Sequence, residues 1–194
     1  MGFDSGSMSF QRYAVVGNAP KMPDEEVLKK IDANALRPSD LGQPEEVEYG
    51  WAGTRHVFDL ALDFERCVYN DCLHFAMRVD TNKVPGEVKQ AYLMIEEDAV
   101  AKMNPSGFIS KQQKRDVKDQ INSKLEEELH SGKYRRSKLV PILWDLPGGI
   151  LYGPSSLSVR EKLTELFSRT FDLELFPLSS GTIALRELER RGTR

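Results

Sequence analysis

The chain has 194 residues, with 27 Lys and Arg against 30 Asp and Glu, and 40% of its residues are hydrophobic. This length can bury a core, and a charged fraction of 29% is typical of a soluble globular protein rather than a disordered one. No apolar run approaches the ~20 residues that cross a bilayer, the N-terminal residues lack the pattern of a signal peptide, and two cysteines make no disulfide framework. We therefore expect a cytoplasmic protein and exclude secreted, membrane-spanning and collagen-like classes.

The first part of the chain is predicted to contain one helix among several strands. Residues 9–16 mix aromatic and β-branched side chains, which favours a strand. A helix follows, because Asp24 and two glutamates stand where acids favour the positive end of the helix dipole, and Pro38 stops it. Three more strands are predicted over residues 47–52, 56–62 and 73–79, the last with apolar side chains at every second position.

Two long helices are predicted next. The first has an apolar stripe at helical spacing, formed by Val88, Tyr92, Ile95, Ala99 and Met103. The second begins at a capping box of Ser110 and Gln113, ends at Gly132, and has a single apolar row: Val117, Ile121, Leu125 and Leu129. One narrow row cannot form the centre of a globular core. We therefore expect an antiparallel helical hairpin that projects from the body as an inserted arm over residues 83–135.

The last part of the chain returns to strands. A β-hairpin is predicted from residues 138–145 and 150–152, followed by an amphipathic helix that starts at Ser155 and Ser156. A strand over residues 173–178 and a short terminal helix over residues 183–188 complete the order. Strands joined by tight turns and interrupted by helices favour an α+β fold with a mainly antiparallel sheet and packed helices. The body then comprises residues 1–82 and 136–194.

The net charge of −3 conceals an uneven distribution. Residues 111–138 hold nine basic and five acidic residues, a net charge of +4. The other 18 basic and 25 acidic residues give the remainder a charge of −7. This asymmetry indicates an anionic partner for the basic segment, although a solvated helix with mixed charges is an equally simple interpretation.

Patterns typical of catalysis are missing from the sequence. His56, His74 and His130 lie in no recognisable catalytic signature, and neither a GxxxxGK[ST] nor a GxGxxG phosphate loop occurs. Gly148-Gly149 is explained by a hairpin turn. We therefore expect no enzymatic activity, no cofactor and no small-molecule substrate.

Two weaker patterns suggest metal binding. Cys67, Cys72 and His74 have zinc-ligand chemistry, but they lack a fourth ligand and their spacing is unusual. Asp80 followed by Glu87-Val88-Lys89 imitates the acidic site of a nuclease, yet Glu87 falls in the first turn of a predicted helix. Buried thiols and surface carboxylates explain both sets more simply, and we predict no metal site.

The basic segment is the strongest functional candidate. Four cations recur at helical spacing on one face of the second hairpin helix, and four more follow at its base. A basic arm is suited to the phosphate backbone of DNA, where contacts carry no sequence information. The predicted DNA-binding residues are Lys111, Lys114, Arg115, Lys118, Lys133, Arg135, Arg136 and Lys138.

A series of short motifs runs through the second half of the chain. It begins with the turn and strand of residues 69–78, followed by Val84-Pro85-Gly86-Glu87-Val88-Lys89. It continues through Glu128-Leu129-His130-Ser131, Trp144-Asp145, Gly149-Ile150-Leu151, Leu163, Leu166 and Phe176-Pro177-Leu178. In these motifs the chain, from Leu73 to Leu178, resembles the bacterial recombination-associated RdgC family. The matches are of order and pattern rather than of a catalytic signature.

The resemblance implies a non-enzymatic protein that binds DNA without sequence specificity and modulates recombination or replication in the nucleoid. Members of that family form homodimeric rings around double-stranded DNA, so a homodimer is expected here. The family's chain continues for roughly a hundred residues beyond this one, about the size of a small domain. Its apolar segment after the second helix is replaced by Gly132-Lys133-Tyr134-Arg135-Arg136. Because of these two departures, the sequence does not predict whether the dimer closes into a ring.

Two other functions compete with DNA binding. The hairpin could be an interaction module, with its apolar stripe mediating oligomerisation and its charges merely solvated. A metal-dependent nuclease ranks third, since it depends on the weak acidic pattern at Asp80 and Glu87.

Overall fold

The structure is a computed structural model that describes residue 3, residues 7–37 and residues 47–192. Within them lie six helices: α1 (Glu25–Ala33), α2 (Phe64–Cys67), α3 (Gly86–Met103), α4 (Lys111–His130), α5 (Leu157–Phe171) and α6 (Ser180–Arg190). The strands are β1 (Gln11–Val16), β2 (Val47–Ala52), β3 (Val68–Tyr69), β4 (Cys72–Asn82), β5 (Arg135–Asp145), β6 (Ile150–Gly153) and β7 (Glu174–Pro177). Pro38, predicted to end the first helix, lies outside the described residues.

The strands form one curled antiparallel sheet in the order β2-β4-β5-β6-β1-β7, and β3 pairs with β4. Tyr13 of β1 lies opposite Leu151 of β6, which in turn lies opposite Trp144 of β5. Residues paired across a sheet share a face, so these three side chains point into the same core. The α+β class and the antiparallel sheet are confirmed.

The chain divides into two compact units. One contains the described residues before position 38, Tyr49–Val79, and the chain from Lys138 onward. The other contains residues 47–48 and Asp80–Ser137, including both long helices. The division falls inside β4 and β5, since each of these strands contributes residues to both units.

The first unit has a core in which one face of the sheet packs against α1 and α5. Trp51, Phe75, Trp144 and Phe167 are completely buried there. Trp51 meets Phe75, and Trp144 meets Phe167, edge to face, each pair with ring centroids 5.0 Å apart. This geometry is favourable for aromatic pairs. Tyr13 joins the core and donates its hydroxyl to the carbonyl of Pro154.

The predicted strand over residues 56–62 is wrong, because this segment is an irregular loop. The buried carboxylate of Asp59 accepts hydrogen bonds from the amides of Arg55 and Ala61, at 3.2 and 3.1 Å. Local side-chain bonds of this kind satisfy the backbone in place of a strand partner. Phe58, predicted to face inward, is exposed and stacks on the guanidinium of Arg78.

Most other elements match their predictions within a few residues. Helix α1 begins where expected, with the Asp24 carboxylate accepting from the amide of Val27. Strand β5 is longer than predicted and starts at Arg135 rather than Lys138. The short elements α2 and β3 were not predicted, because two to four residues are too few to produce a periodic pattern.

Candidate nucleic-acid interface

Helices α3 and α4 form an antiparallel hairpin joined by residues 104–110. At the connected end, the side-chain amides of Asn104 and Gln113 exchange two hydrogen bonds of 3.1 Å. At the far end, the Tyr92 hydroxyl donates to Glu128 at 3.3 Å. The predicted capping box is present, with Ser110 and Gln113 each bonding the other's backbone amide. These contacts confirm the predicted pairing of the two helices.

The buried stripe of α4 is the predicted one, whereas the predicted stripe of α3 is only partly correct: Val88, Tyr92 and Ala99 are half-buried. Val117, Ile121 and Leu125 of α4 pack against Tyr92, Leu93 and Val100 of α3. Ile95 and Met103, expected in the interface, are 64% and 84% exposed, and α3 has no fully buried residue. Apolar residues occur on more than one side of α3, so their spacing alone could not select the packed side.

The basic residues at the start of α4 are accessible. Lys111, Arg115 and Lys118 are exposed and form no ion pair with the described part of the chain. Lys114, the fourth member of the predicted face, lies toward α3, where its Nζ is 3.7 Å from an Oε2 of Glu97. Ion pairs this open to solvent are weak, so Lys114 remains able to contact another anion.

The charge along α4 opposes the helix dipole. Its first ten residues carry four cations and two acids, whereas its last ten carry one lysine and three glutamates. The first turn contains no acid. A cation near the C-terminus of a helix stabilises it by about 0.3–1 kcal/mol through the dipole, and a cation near the N-terminus forgoes this stabilisation. Residues whose charge opposes the helix dipole are most often found where a surface serves function rather than stability.

Lys133 belongs to a network at the base of the hairpin. Its Nζ lies 2.7 Å from Glu128 and 3.2 Å from the Tyr92 hydroxyl, and Tyr134 also donates to Glu128. Hydrogen bonds from Lys133 and Tyr134 hold the pKa of Glu128 below its usual range. The bond to Glu128 raises the pKa of Lys133, and burial together with the same carboxylate raises that of Tyr134. Lys124 lies over the Tyr92 ring at 4.5 Å.

The last three predicted contacts lie on β5 and have different surroundings. Arg135 is paired at 3.2 Å with Asp80, whose side chain is completely buried. Arg136 is exposed and makes no ion pair within the described residues. Lys138 belongs to the first unit, where it lines a cavity of about 330 Å³ together with Ser155 and Ser156. The predicted cations therefore differ in their surroundings.

The weaker metal patterns find no support in the arrangement of side chains. Nowhere in residues 3, 7–37 and 47–192 do three His, Cys, Asp or Glu side chains come together as metal ligands. Glu87 lies in the first turn of α3, where it complements the dipole, and Asp80 pairs with Arg135. Cys67 is buried, and the carboxylates of Asp63 and Asp59 are close enough to raise its pKa.

The buried thiol of Cys67 gives a testable pH dependence. Burial, followed by the nearby carboxylates of Asp63 and Asp59, raises its pKa from 9.0 to about 11. The folded protein thus keeps this proton at pH values where the unfolded chain has lost it. Its contribution is fully present below pH 9 and disappears as the pH approaches 11. We expect the free energy of unfolding to fall by about 2–3 kcal/mol over this range because of Cys67.

Urea denaturation of the wild type and of Cys67→Ala at pH 8, 9, 10 and 11 measures this dependence. The variant starts from a lower stability but should lose less of it as the pH rises, since other titrating groups, Cys72 included, are common to both proteins. Parallel curves for the two proteins would contradict the assigned pKa of Cys67.

Comparison with known proteins leaves the family open. No protein-family model matches the chain, and no curated protein matches it significantly. The similarity to RdgC proteins therefore stays a prediction from the sequence. No helix of the described residues is long and apolar enough to cross a membrane.

Sequence reasoning missed two features of this region. It did not anticipate that Glu97, Glu128 and Asp80 would pair with three of the eight predicted contacts, because the members of these pairs are 5 to 55 residues apart. It also missed the exposed side chains of Met103 and Phe108 at the connected end of the hairpin. Of the two neighbouring apolar residues before the capping box, Ile109 is half-buried against the hairpin core and Phe108 is exposed.

Proposed function

We propose that this protein binds DNA without sequence specificity, through phosphate contacts made by the connected end of its helical hairpin. We name residues 102–118 the hairpin tip. It comprises the end of α3, the loop, and the first two turns of α4. The tip holds five basic residues and one acid, and this local charge of +4 is the observation that carries the proposal.

The environment of each cation supports this assignment. Lys102, Lys111, Arg115 and Lys118 are exposed without an ion pair among the described residues, and the pair of Lys114 is open to solvent. Unpaired lysine and arginine side chains bind phosphate by releasing condensed counterions, and the affinity is independent of base sequence. Lys133 and Arg135 are engaged within their own unit, so in this proposal they stabilise the fold rather than bind DNA.

The resemblance to RdgC proteins supports the same proposal. It adds that the partner is double-stranded DNA, that the protein acts as a homodimer in the nucleoid, and that it modulates recombination or replication. The proposal includes no catalytic step and no cofactor. The basic tip supports only the phosphate contacts, and the remaining elements come from the resemblance.

Fluorescence anisotropy with two unrelated duplexes over a salt series, with EDTA present, tests the proposal. We expect similar affinities for both duplexes and a steep decrease with salt. Removing three phosphate contacts in Lys111→Ala/Arg115→Ala/Lys118→Ala should flatten the slope of log K against log salt by about 2.7. At about 0.1 M salt, we expect the affinity to drop by roughly 10- to 100-fold for both sequences.

A control variant with the same change in net charge isolates the position of the cations. Arg12→Ala/Lys21→Ala/Arg55→Ala removes three exposed positive charges from the first unit. It should retain the wild-type slope. If both triple variants lost the same affinity for DNA, only the net charge of the protein would matter. If the wild type did not bind either duplex at low salt, DNA binding would be refuted altogether.

A second candidate function is oligomerisation through α3. Its support is the exposure of Met94 and Ile95 on a helix that has no fully buried residue. Large apolar side chains grouped on a surface often mark protein contacts. Light scattering in high salt distinguishes the two functions: an oligomer that Ile95→Glu dissociates, together with no affinity for DNA, would favour this alternative.

A further inference from the structure

The largest exposed apolar side chains of the hairpin lie at its positively charged tip. Met103 is 84% exposed and Phe108 is 78% exposed, more than any other large hydrophobic residue in the described part of the chain. Met103 ends α3 directly after Lys102, and Phe108 lies in the following loop, three residues before Lys111. Water-exposed apolar groups of this size are unfavourable unless another molecule covers them.

The loop that presents Phe108 is held in place by its own hydrogen bonds. The Asn104 amide donates to the carbonyl of Phe108 at 2.6 Å, and the Phe108 amide donates to the Ser106 hydroxyl at 3.3 Å. Gly107 permits the turn by adopting a φ of +70°, in the left-handed region. The exposure of the ring is therefore a property of an ordered turn.

Charge indicates what could cover these side chains. A neutral apolar partner would leave four unpaired cations around the contact without counter-charges, whereas duplex DNA offers phosphates on both sides of each base step. Proteins that bend DNA insert side chains such as Phe and Met between base pairs while cations hold the flanking backbone. The tip combines both components within 17 residues of chain.

We propose that Phe108, supported by Met103, is a wedge that inserts between stacked base pairs of duplex DNA and kinks it. This inference rests on the proposed DNA binding and adds a second contact of different chemistry. The cations set the salt dependence, while the ring contacts the exposed faces of the opened step. The binding remains indifferent to base identity but becomes sensitive to how easily a step opens.

Duplexes that open easily provide the test. A single central mismatch lowers the energy needed to unstack a step, so wild-type protein should bind a mismatched duplex several-fold more tightly than the matched one. Phe108→Ala should abolish this preference and keep the wild-type salt slope. Phe108→Trp, which retains a flat ring, should restore the preference. Dyes at the two ends of the duplex should report a bend with the wild type that Phe108→Ala lacks.

Ile95→Ala is the matched control, because Ile95 is similarly exposed in the same unit but lies on α3, outside the tip. It should preserve both the preference and the bend. Duplex binding with no preference for the mismatch and no bend in the wild type would overturn the wedge alone. A wild type that binds neither duplex would overturn the wedge and the proposed function together.

Vesicles that contain anionic lipid serve as a further arm, since basic and apolar groups also suit a membrane surface. Vesicle binding that depends on Phe108, with no Phe108-dependent effect on DNA, would assign the tip to membranes and refute the wedge.

Discussion

Replacing Trp51 with alanine is expected to lower the free energy of unfolding by about 3–5 kcal/mol. The indole is completely buried, edge to face with Phe75, and packs against Phe171. Its Nε1 donates to the Thr170 hydroxyl at 2.8 Å, which links β2 to α5. Truncation removes this contact area and leaves a cavity that rigid neighbours cannot fill. In a chain of this size the midpoint of thermal unfolding should fall by about 10 °C.

A matched pair of tryptophans separates packing from hydrogen bonding. Trp144 is also completely buried, but its Nε1 has no hydrogen-bond partner among the described residues. Trp51→Phe keeps an aromatic ring but loses the hydrogen bond to Thr170. We therefore expect the free energy of unfolding to fall by about 1 kcal/mol more than the smaller ring alone would cause. Trp144→Phe removes an unsatisfied donor, which offsets part of its loss of packing.

Urea denaturation followed by circular dichroism measures all three variants without depending on tryptophan fluorescence. We expect Trp51→Ala to be the least stable and Trp144→Phe to lie closest to the wild type. A larger loss for Trp144→Phe than for Trp51→Phe would show that the hydrogen bond to Thr170 contributes nothing measurable.

The parts of the fold predicted from sequence are those with strong local signals. The alternation of Leu73, Phe75 and Met77 predicted strand β4, and these side chains are completely buried. Ser110 and Gln113 predicted the start of α4, since a capping box satisfies backbone amides within one turn. Such patterns depend on neighbours a few residues apart, which the sequence displays directly.

The errors share a different physical cause. Residues 56–62 have strand-like alternation, yet the buried carboxylate of Asp59 organises them as a loop next to Gly53. A Cβ at Gly53 would lie 2.3 Å from this carboxylate, so the loop depends on a close approach that no periodicity reveals. On α3, Ile95 and Leu93 are equally apolar, and only packing against α4 distinguishes the exposed from the half-buried side chain.

The candidate interface was predictable as a basic segment but not in its details. Lys111 and Arg115 could be placed on one helix face from their spacing alone. The pairing of Arg135 with Asp80 could not, because the two residues are 55 positions apart and meet only through the fold. Whether a cation is free or paired decides its role, and the sequence does not contain that information.

Arg135→Ala should therefore affect stability, although sequence alone places Arg135 among the DNA contacts. Removing the guanidinium leaves the completely buried Asp80 carboxylate without its 3.2 Å ion-pair partner. Breaking a fully buried pair costs about 3–5 kcal/mol. We expect about 2–3 kcal/mol here, because Arg135 is 32% exposed and Asp80 has further interactions. Arg136→Ala, at the next and exposed position of β5, should change stability by less than about 0.5 kcal/mol.

A double-mutant cycle with Asp80→Asn identifies the cause. If the loss of stability in Arg135→Ala comes from a buried charge that is then only partly compensated, neutralising Asp80 in that background should recover part of it. The double variant should then bind DNA with the wild-type salt slope, because Arg135 makes no phosphate contact in the proposed interface. A slope reduced by about 1 in a stably folded Arg135→Ala/Asp80→Asn protein would instead return Arg135 to the DNA-binding surface and extend that surface from the tip to the base of the hairpin.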